Sequence, residues 1–329
     1  MKNDQHLHKT LGNKYYHQLS ATEAYTKEKL NPNYITGFCD AESSFVLSIY
    51  KNAKLKTGWV IKPVFNITLH YKDLALLIRI KSFFGEVGTI SINKALSRAS
   101  YYVGSVKDFN EEIIPHFKDY PLISQKWGDF ELLKKAIELI NLKKHLSDEG
   151  LIDFINIRAS MNNGLSPELE QQFIDNTPVD RPKPSSTYDI NPNWLAGFID
   201  GEGCFFINTT KSKTKVGYAV NLTFSLDQHS RDSALIQSIA NYLNCGYVSP
   251  CFNVSHVRYT VSKFSDIIEI ILPFFKEYPL QGVKNLDLND FYIVAQLMKD
   301  KAHLTHEGLE QIKKIKAGMN KRRLHEKGS

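Results

Sequence analysis

One motif occurs twice in the chain, 160 residues apart, and it constrains the fold more than any other feature. NPNYITGFCDAESSF occupies residues 31–45, and NPNWLAGFIDGEGCF occupies residues 191–205. The similarity continues beyond the motif, because GWVIKPVFNITLHYKD at 58–73 aligns without a gap with GYAVNLTFSLDQHSRD at 217–232. IIPHFKDYPL at 113–122 likewise matches ILPFFKEYPL at 271–280. Repetition over this length predicts one domain in two copies, arranged about a pseudo-twofold axis.

The boundaries of the two copies follow from where the similarity begins and ends. The last shared pair is Met-Asn, at 161–162 and 319–320, so the spacing drifts only from 160 to 158 residues. We therefore predict an N-terminal extension at 1–30, repeats at 31–163 and 191–323, and a tail at 324–329. Between the repeats, residues 164–190 are rich in Pro, Ser, Thr and Asp, which is typical of a surface linker.

In both repeats the spacing of hydrophobic residues predicts the same order of helices and strands. A short apolar helix at 34–42 or 194–202 follows Asn-Pro-Asn, which can cap it, and two alternating strands come next. A helix at 73–84 or 232–243, a hairpin, a helix near 109–117 and a long amphipathic helix complete the unit. This predicts an α+β fold, αββαββα twice, with antiparallel strands instead of a doubly wound sheet.

Charge and cysteine content narrow the class of protein. Lys and Arg number 41 against 35 Asp and Glu, giving a net charge of +6 and a pI near 8.9, which permits a polyanionic partner. The four cysteines form no CxxC pair, so we expect reduced thiols and no zinc site. No apolar run approaches the ~20 residues of a membrane span, and the first residues lack the apolar core of a signal peptide. Abundant Phe, Tyr, Lys, Asn and Ile favour an AT-rich genome, such as that of an organelle.

The duplicated helix explains why its acids come in pairs. Gly37 and Ala41 lie four residues apart on one face of the first helix, as Gly197 and Gly201 do on the second. Small residues at this spacing let two helices approach closely, so we expect these four residues to form the helix interface. Glu42 and Glu202 would then meet at one end of the paired helices. Paired carboxylates suit Mg²⁺, which can activate water and stabilise the leaving oxygen in phosphodiester hydrolysis.

LAGFIDGEG at 195–203 resembles the name-giving motif of the LAGLIDADG homing endonucleases, and ITGFCDAES at 35–43 is similar to it. The resemblance covers residues 31–323 and is to the single-chain, two-repeat enzymes encoded in fungal mitochondrial introns. It implies two saddle-shaped antiparallel sheets on DNA, with Glu42 and Glu202 as catalytic metal ligands. The backbone carbonyls of Ala41 and Gly201 would complete the metal site, and Asp40 and Asp200 would have structural roles.

The resemblance also implies that basic and polar residues position the attacking water. The matching candidates are Lys263, together with Asn66 and Ser225 at equivalent strand positions. The first repeat has Ser105 where the second has Lys263, so we expect the two strands of DNA to be cut at different rates. Ser43 replaces the usual motif glycine, which predicts a different end for the first helix. In HLSDEGL and HLTHEGL, at 145–151 and 303–309, the pattern fits a helix end leading into the next helix, not a metal site.

Strand alternation predicts a polar face on each sheet, which a major groove could accommodate. Counting by twos, the face of the first repeat carries Ser44, Val46, Ser48, Tyr50, Lys62, Val64, Asn66 and Thr68. The face of the second repeat carries Cys204, Phe206, Asn208, Thr210, Ala219, Asn221, Thr223, Ser225 and Asp227. Lysines in the hairpin turns are placed to contact phosphates, and these are Lys51, Lys54, Lys56, Lys211, Lys213 and Lys215.

Taken together, these features predict a monomeric endonuclease that cuts both strands of a long double-stranded DNA target. The family resemblance implies Mg²⁺ as cofactor, with Ca²⁺ supporting binding without cleavage, short 3′ overhangs, a mitochondrial location and a role in intron mobility. Two alternatives remain open. A maturase on the same fold would bind intron RNA, and its binding would survive loss of both glutamates. A DNA-binding regulator without catalysis is disfavoured because both Glu42 and Glu202 are present.

Overall fold

The computed structural model describes residues 29–185, 187–251 and 254–320. The first repeat begins with the motif helix and continues through two hairpins, each followed by helices. Its elements are α1 (Pro32–Glu42), β1 (Ser43–Lys51), β2 (Trp59–His70), α2 (Leu74–Phe83), β3 (Thr89–Asn93), β4 (Arg98–Val103), α3 (Ile114–Asp119), α4 (Lys126–Asn141) and α5 (Asp148–Ala159). The linker forms α6 (Pro167–Gln172).

The second repeat has the same elements in the same order. They are α7 (Pro192–Glu202), β5 (Gly203–Lys211), β6 (Tyr218–His229), α8 (Ser233–Leu243), β7 (Tyr247–Pro250), β8 (His256–Val261), α9 (Leu272–Glu277), α10 (Lys284–Lys299) and α11 (His306–Ala317). A π-helical turn precedes α3 and α9, at Phe109–Ile113 and Ile267–Ile271. Even this irregular turn is repeated.

Each repeat has one four-stranded antiparallel sheet. The strand orders are β1-β2-β4-β3 and β5-β6-β8-β7. The registers also match, since Ser43 pairs with Ile67 in the first sheet and Gly203 pairs with Leu226 in the second. The predicted α+β duplicated fold is therefore confirmed.

Aromatic side chains fill the space between each sheet and its helices. Phe45 on β1 lies against Phe65 on β2, with 5.2 Å between ring centroids, and Phe205 lies against Phe224 at 5.4 Å. All four rings are at most 1% exposed. Because these residues alternate with the polar ones along each strand, burying one face commits the other face of the sheet to solvent.

The two motif helices pack against each other at the centre of the molecule. Asn31 and Asn191 cap them, each side-chain oxygen accepting a backbone N–H two residues on at 2.9 Å. A β-carbon on Gly37 would lie within 2.7 Å of the carbonyl carbon of Trp194, and one on Gly197 would lie 2.9 Å from the carbonyl carbon of Tyr34. Only glycine permits this approach of the two backbones.

Both motif helices end in the same conformation, so the different end expected from Ser43 is wrong. Ser43 and Gly203 are both extended, with φ of −86° and −73°. A side chain at Gly203 would lie 2.5 Å from Cγ2 of Ile199, whereas Ser43 hydroxyl donates to the carbonyl of Cys39 at 2.6 Å. The smaller Cys39, where the second repeat has Ile199, leaves room for serine.

The long helices begin and end earlier than the spans 129–145 and 287–303 that their hydrophobic pattern predicts. The first was expected to continue to about residue 145, but α4 ends at Asn141 and Lys143 is left-handed, with φ of 59°. Lys301 has the same conformation after α10, with φ of 61°. Ser147 and Thr305 then cap α5 and α11, as the helix-end interpretation of HLSDEGL and HLTHEGL predicts.

The linker at 164–190 packs against the first repeat in addition to joining the two repeats. Arg181 donates to both carboxylate oxygens of Asp129 on α4, and to the carbonyl of Gln125 at 2.8 Å. Leu169 of α6 is 3% exposed and belongs to the core of the first repeat. The linker therefore packs on the first repeat before the chain enters the second. In the part of the chain that the structure describes, no helix is long and apolar enough to cross a membrane.

Candidate active site

The two predicted glutamates lie together where α1 and α7 end. Ala41 and Gly201 touch across the helix interface, and a β-carbon at Gly201 would lie 3.0 Å from Cγ of Glu42. Burial raises the pKa of Glu202, and the nearby carboxylate of Glu42 raises it further. Burial also raises the pKa of Glu42, against the opposing effect of Lys284 and Lys126. The two helix ends therefore bring the carboxylates close enough for one to raise the pKa of the other, and Glu42 lines a cleft with Gly201 and Lys284.

The motif aspartates hold this arrangement in place through hydrogen bonds, although Asp200 also lines the cleft beside Glu42. Asp40 accepts hydrogen bonds from the backbone N–H groups of Ile123 and Ser124 at 3.0 and 3.2 Å, and from the indole of Trp194 at 2.8 Å. Asp200 accepts from the backbone N–H groups of Gln281 and Gly282, both at 2.7 Å, and from the hydroxyl of Tyr34 at 2.5 Å. Tyr34 and Trp194 occupy the same motif position, so each repeat binds the aspartate of the other.

Two lysines that the sequence analysis did not single out reach this cleft. Lys126, the first residue of α4, donates to the carbonyls of Ala41 at 2.6 Å and Cys39 at 3.3 Å. Lys284, the first residue of α10, donates to Gly201 at 2.6 Å and Ile199 at 3.1 Å. Burial lowers the pKa of both ammonium groups, although the surrounding carboxylates oppose it. The sequence did contain a signal for these two lysines: they are 158 residues apart, the same spacing as the Met-Asn pairs at 161–162 and 319–320, so they are equivalent positions of the two repeats.

Lys263, the lysine that was predicted to act near the metal, is placed differently. It is the N-cap residue of a short helical turn after β8, its side chain is 74% exposed, and its ammonium lies 3.1 Å from Asp266. Ser105 has the same place in the first repeat, where its hydroxyl caps the turn through the N–H of Asp108. The position that we assigned to Lys263, beside the glutamates, is held by Lys126 and Lys284. A catalytic role for Lys263 stays a prediction that no contact with the cleft supports.

The oxygen atoms at the helix ends are chemically suited to a hard cation. Carboxylate and carbonyl oxygens are the ligands that Mg²⁺ prefers, and it is usually bound by one or two carboxylates plus substrate phosphates. Within residues 29–185, 187–251 and 254–320 no group of three His, Cys, Asp or Glu side chains could hold a metal. The carbonyls of Ala41 and Gly201 each accept an ammonium proton, which leaves one lone pair on each oxygen. The residues therefore fit a cation site that a substrate phosphate would complete.

The surroundings of the two glutamates are not equal. Gln228 on β6 donates to Glu202 Oε1 at 3.5 Å, and the aligned residue in the first repeat is Leu69, which has no such donor. The two other polar candidates also differ. Asn66 is half-buried and its amide donates to Thr68 at 3.1 Å, whereas Ser225 is only 4% exposed, between Cys204 and Thr260 of the neighbouring strands. Ser225 thus has little surface with which to touch DNA or water.

The predicted DNA-facing strand residues lie on the open face of each sheet, where Ser225 alone among them is buried by its neighbours. Tyr50 and Phe206 are 47% and 41% exposed, and their strand neighbours Ile49 and Ile207 are buried. The remaining members of the predicted face are partly or fully exposed. They are Ser44, Val46, Ser48, Lys62, Val64, Asn66, Thr68, Cys204, Asn208, Thr210, Ala219, Asn221, Thr223 and Asp227. Lys62 additionally lies 5.1 Å from the ring centroid of Tyr102 on β4.

An arginine on this face was missed, because its strand was not counted into the predicted surface. Arg258 on β8 pairs directly with Asp227 on β6, with Nε to Oδ1 at 2.5 Å and Nη2 to Oδ2 at 3.0 Å. In the first repeat the same ladder position holds Thr68 and Ser100, whose hydroxyls are 2.8 Å apart. The two recognition faces therefore differ in charge as well as in shape.

The predicted phosphate-contacting lysines lie in exposed turns or at strand ends. Five of them are exposed without a carboxylate partner among the described residues: Lys54, Lys56, Lys211, Lys213 and Lys215. Lys51 differs, since its ammonium lies 3.2 Å from Glu168 of α6 and 5.5 Å from the ring centroid of Trp59.

Sequence relatives carry names that agree with this geometry. The chain is 41% identical over 297 residues to probable intron-encoded endonuclease 2 of Neurospora crassa, covering 87% of this chain and 64% of that protein. It is 37% identical over 285 residues to probable intron-encoded endonuclease 3 of the same organism, covering 86% and 53%. The chain thus spans less than two thirds of the length of these relatives.

Solved structures and a family model agree with the duplicated fold. The I-SmaMI LAGLIDADG homing endonuclease bound to cleaved DNA superposes with a TM-score of 0.87 at 42% identity, over 90% of this chain and 99% of that one. I-SmaMI bound to uncleaved DNA with calcium ions matches equally well, with a TM-score of 0.87 over 89% and 100% of the two chains. The model of the LAGLIDADG endonuclease family matches twice, at residues 35–137 and 195–295. The chain belongs to the LAGLIDADG endonuclease family.

Proposed function

We propose that the protein is a site-specific homing endonuclease that hydrolyses both strands of a long, partly asymmetric double-stranded DNA target. The observation that carries the proposal is the pairing of Glu42 and Glu202 at the ends of two closely packed helices, with the ammonium groups of Lys126 and Lys284 near both carboxylates. The cleft lies between two sheets that offer polar faces. DNA-bound relatives at 42% identity support the same substrate class.

Mg²⁺ is the proposed cofactor, held by Glu42 and Glu202 with the carbonyls of Ala41 and Gly201. It would activate water for attack on phosphorus and stabilise the departing oxygen. The lysines would bring positive charge next to two carboxylates and an incoming phosphate, where a low dielectric strengthens every charge interaction. Cleavage in each half would leave short 3′ overhangs. We expect Ca²⁺ to support DNA binding without cleavage, consistent with a related endonuclease crystallised on uncleaved DNA with calcium.

One chain supplies both motif helices, so we propose a functional monomer. Arg258, held by Asp227, presents a fixed guanidinium fork to the major groove, where two parallel N–H groups match the O6 and N7 acceptors of guanine. Thr68 and Ser100 cannot make that contact. We therefore propose that the half-site read by the second repeat requires a guanine that the other half-site does not.

A role in intron mobility and a mitochondrial location extend the proposal to biology. They rest on the names of the relatives, which are intron-encoded endonucleases of fungi, and on the abundance of Phe, Tyr, Lys, Asn and Ile, whose codons are rich in A and T. A maturase that binds intron RNA on the same fold is the second candidate, and it is compatible with endonuclease activity in one protein.

The test is cleavage of a randomised DNA pool, with sequencing of the ends, in Mg²⁺ and separately in Ca²⁺. The wild-type protein should give defined double-strand ends in Mg²⁺ and protected DNA in Ca²⁺. Glu42→Gln and Glu202→Gln should each lower double-strand cleavage about 1000-fold, because each removes a charge that the reacting centre needs. Glu269→Gln makes the same change at an exposed helix position away from the cleft and should cleave normally. Absence of defined ends, with intron-RNA binding that survives both substitutions, would favour the maturase.

A further inference from the structure

Two aspartates outside the motif make an unusual hydrogen bond that is repeated in both halves. Asp73 and Asp232 are the N-cap residues of α2 and α8, where an aspartate ordinarily accepts a hydrogen bond from its own helix. Neither carboxylate does so. Both accept from the other repeat instead: Asp73 Oδ1 from the N–H of Val283, and Asp232 Oδ1 from the N–H of Gln125, each at 2.8 Å.

The helices that receive these bonds are the ones that carry the buried lysines. Val283 and Gln125 are the N-cap residues of α10 and α4, and neither side chain caps its own helix. The residue that follows each is Lys284 or Lys126. The first N–H groups of a helix have no partner within the helix, so the aspartate of the opposite repeat both satisfies one and adds negative charge at the positive helix end.

Asp73 also lies in the same cleft as the lysine that it would fix. Asp73, Glu42, Lys284 and Gly201 line one cleft. The ammonium of Lys284 has a larger effect on the pKa of Glu42 than Lys126 has, although Lys284 hydrogen-bonds to its own motif helix. In the other half, Lys126 has a larger effect on the pKa of Glu202 than Lys284 has. Asp232 is 4% exposed there, and its second carboxylate oxygen lies 3.7 Å from Nε of Arg231. The geometry makes two mixed sites, Glu42 with Asp73 and Lys284, and Glu202 with Asp232 and Lys126.

We propose that Asp73 and Asp232 are positioning residues for DNA cleavage: each caps the lysine-bearing helix of the opposite repeat and so fixes the lysine beside the glutamate of its own repeat. The inference rests on the proposed endonuclease function. It adds that each cutting site is assembled from both repeats, because the lysine is held by carbonyls of its own motif helix while the start of its helix is held by the aspartate of the opposite repeat.

The test compares single-strand nicking rates on a supercoiled plasmid that carries the selected target. Asp73→Ala should slow one strand about 10- to 100-fold, and Asp232→Ala should slow the opposite strand by a similar factor, as for loss of an outer-shell contact. Asp73→Asn and Asp232→Asn keep an oxygen acceptor for the helix N–H and should restore most of the rate. Thr305→Ala, which removes a cap from α11 far from the cleft, should lower the melting temperature and leave the ratio of strand rates unchanged.

Equal slowing of both strands, or slowing of the same strand by both alanine variants, would overturn the proposal. Amide hydrogen exchange, measured without DNA and metal, tests the cross-repeat hydrogen bonds independently of cleavage. Asp73→Ala should speed exchange at residues 283–286 and leave residues 125–128 unchanged, and Asp232→Ala should do the reverse. A wild-type protein that fails to cut DNA would refute the proposed function, while unchanged exchange at both helix starts would refute the cross-repeat caps.

Discussion

The first repeat places Thr68 beside Ser100 on its open sheet face, and the second places Asp227 and Arg258 at the same ladder position. At the helix interface the repeats are instead nearly identical, with Gly37 packed on Trp194 and Gly197 packed on Tyr34. The strand side chains face solvent, so a substitution there changes no packing. A change at the interface collides with a backbone that cannot move aside. Recognition is therefore free to diverge, while the arrangement of the two glutamates is not.

A second difference lies inside the molecule. Thr36 in the first motif helix hydrogen-bonds to the buried imidazole of His116 at 3.1 Å and donates to the carbonyl of Tyr120 at 3.0 Å. The aligned residues in the second repeat are Ala196 and Phe274, an apolar pair. At this position the core of the first repeat therefore has a polar contact, and the core of the second repeat has apolar residues. This pair offers a way to make the repeats respond differently to pH.

The largest expected effect is a loss of stability, and it tests whether the two motif helices contribute equally to their interface. Gly37→Ala and Gly197→Ala should each destabilise the protein by about 3 kcal/mol or more, because the added β-carbon overlaps a backbone carbonyl of the opposite helix. Urea unfolding would measure it. Gly318→Ala, where the nearest atom to a β-carbon is 3.5 Å away, should be close to neutral. A large loss in only one of the first two variants would show that the helices are not packed symmetrically.

The second effect concerns stability below neutral pH. Burial lowers the pKa of His116 to about 4. An unfolded histidine has a pKa near 6.5, so between these values the unfolded state binds more protons and the folded state loses stability as the pH falls. His116→Phe should therefore be nearly neutral at pH 8 and more stable than the wild type by about 2 kcal/mol at pH 5. Urea unfolding across this range checks it, and Phe274→His should introduce the same pH dependence into the second repeat.

A smaller effect should appear in DNA recognition. Arg258→Ala should remove the preference for guanine at one base pair, with a loss of about 1–3 kcal/mol of discrimination, and leave other positions unchanged. Ser100→Ala, at the aligned position, should change selectivity little. Competition binding of single base-pair variants of the target, in Ca²⁺, gives both numbers. A uniform loss of affinity in the Arg258 variant would instead assign this arginine to the phosphate backbone.

The smallest effects belong to the turn lysines. Lys54→Ala and Lys213→Ala should each reduce the slope of binding affinity against salt concentration by about 0.9, as expected for one phosphate contact. Lys51→Ala should change the slope less, because its ammonium is paired with Glu168. The dissociation constant measured over a range of KCl concentrations separates the three. Equal slopes for Lys51 and Lys54 variants would mean that the pair with Glu168 opens on DNA.

Much of the fold, and the pairing of the two glutamates, could be predicted from the sequence. Because the repeat matches itself in frame, the element order, the strand alternation and the meeting of Glu42 and Glu202 followed from spacing and residue size alone. Small residues four apart in a helix and apolar residues at every second position of a strand are local patterns, and burial of one face fixes them. The early end of the long helices was not readable, because a left-handed Lys143 has no sequence signal as strong as glycine.

Only the tertiary structure decided which charges surround the glutamates. Lys126 reaches Ala41 across 85 residues of chain, and Asp73 reaches Val283 across 210. The first contact depends on how the first repeat folds on itself, and the second depends on how one repeat is rotated against the other. Local periodicity contains neither quantity. Sequence therefore determined the two motif helices and their acids, and the packing of the repeats decided that Asp73 and Asp232 each contact the helix start of the opposite repeat.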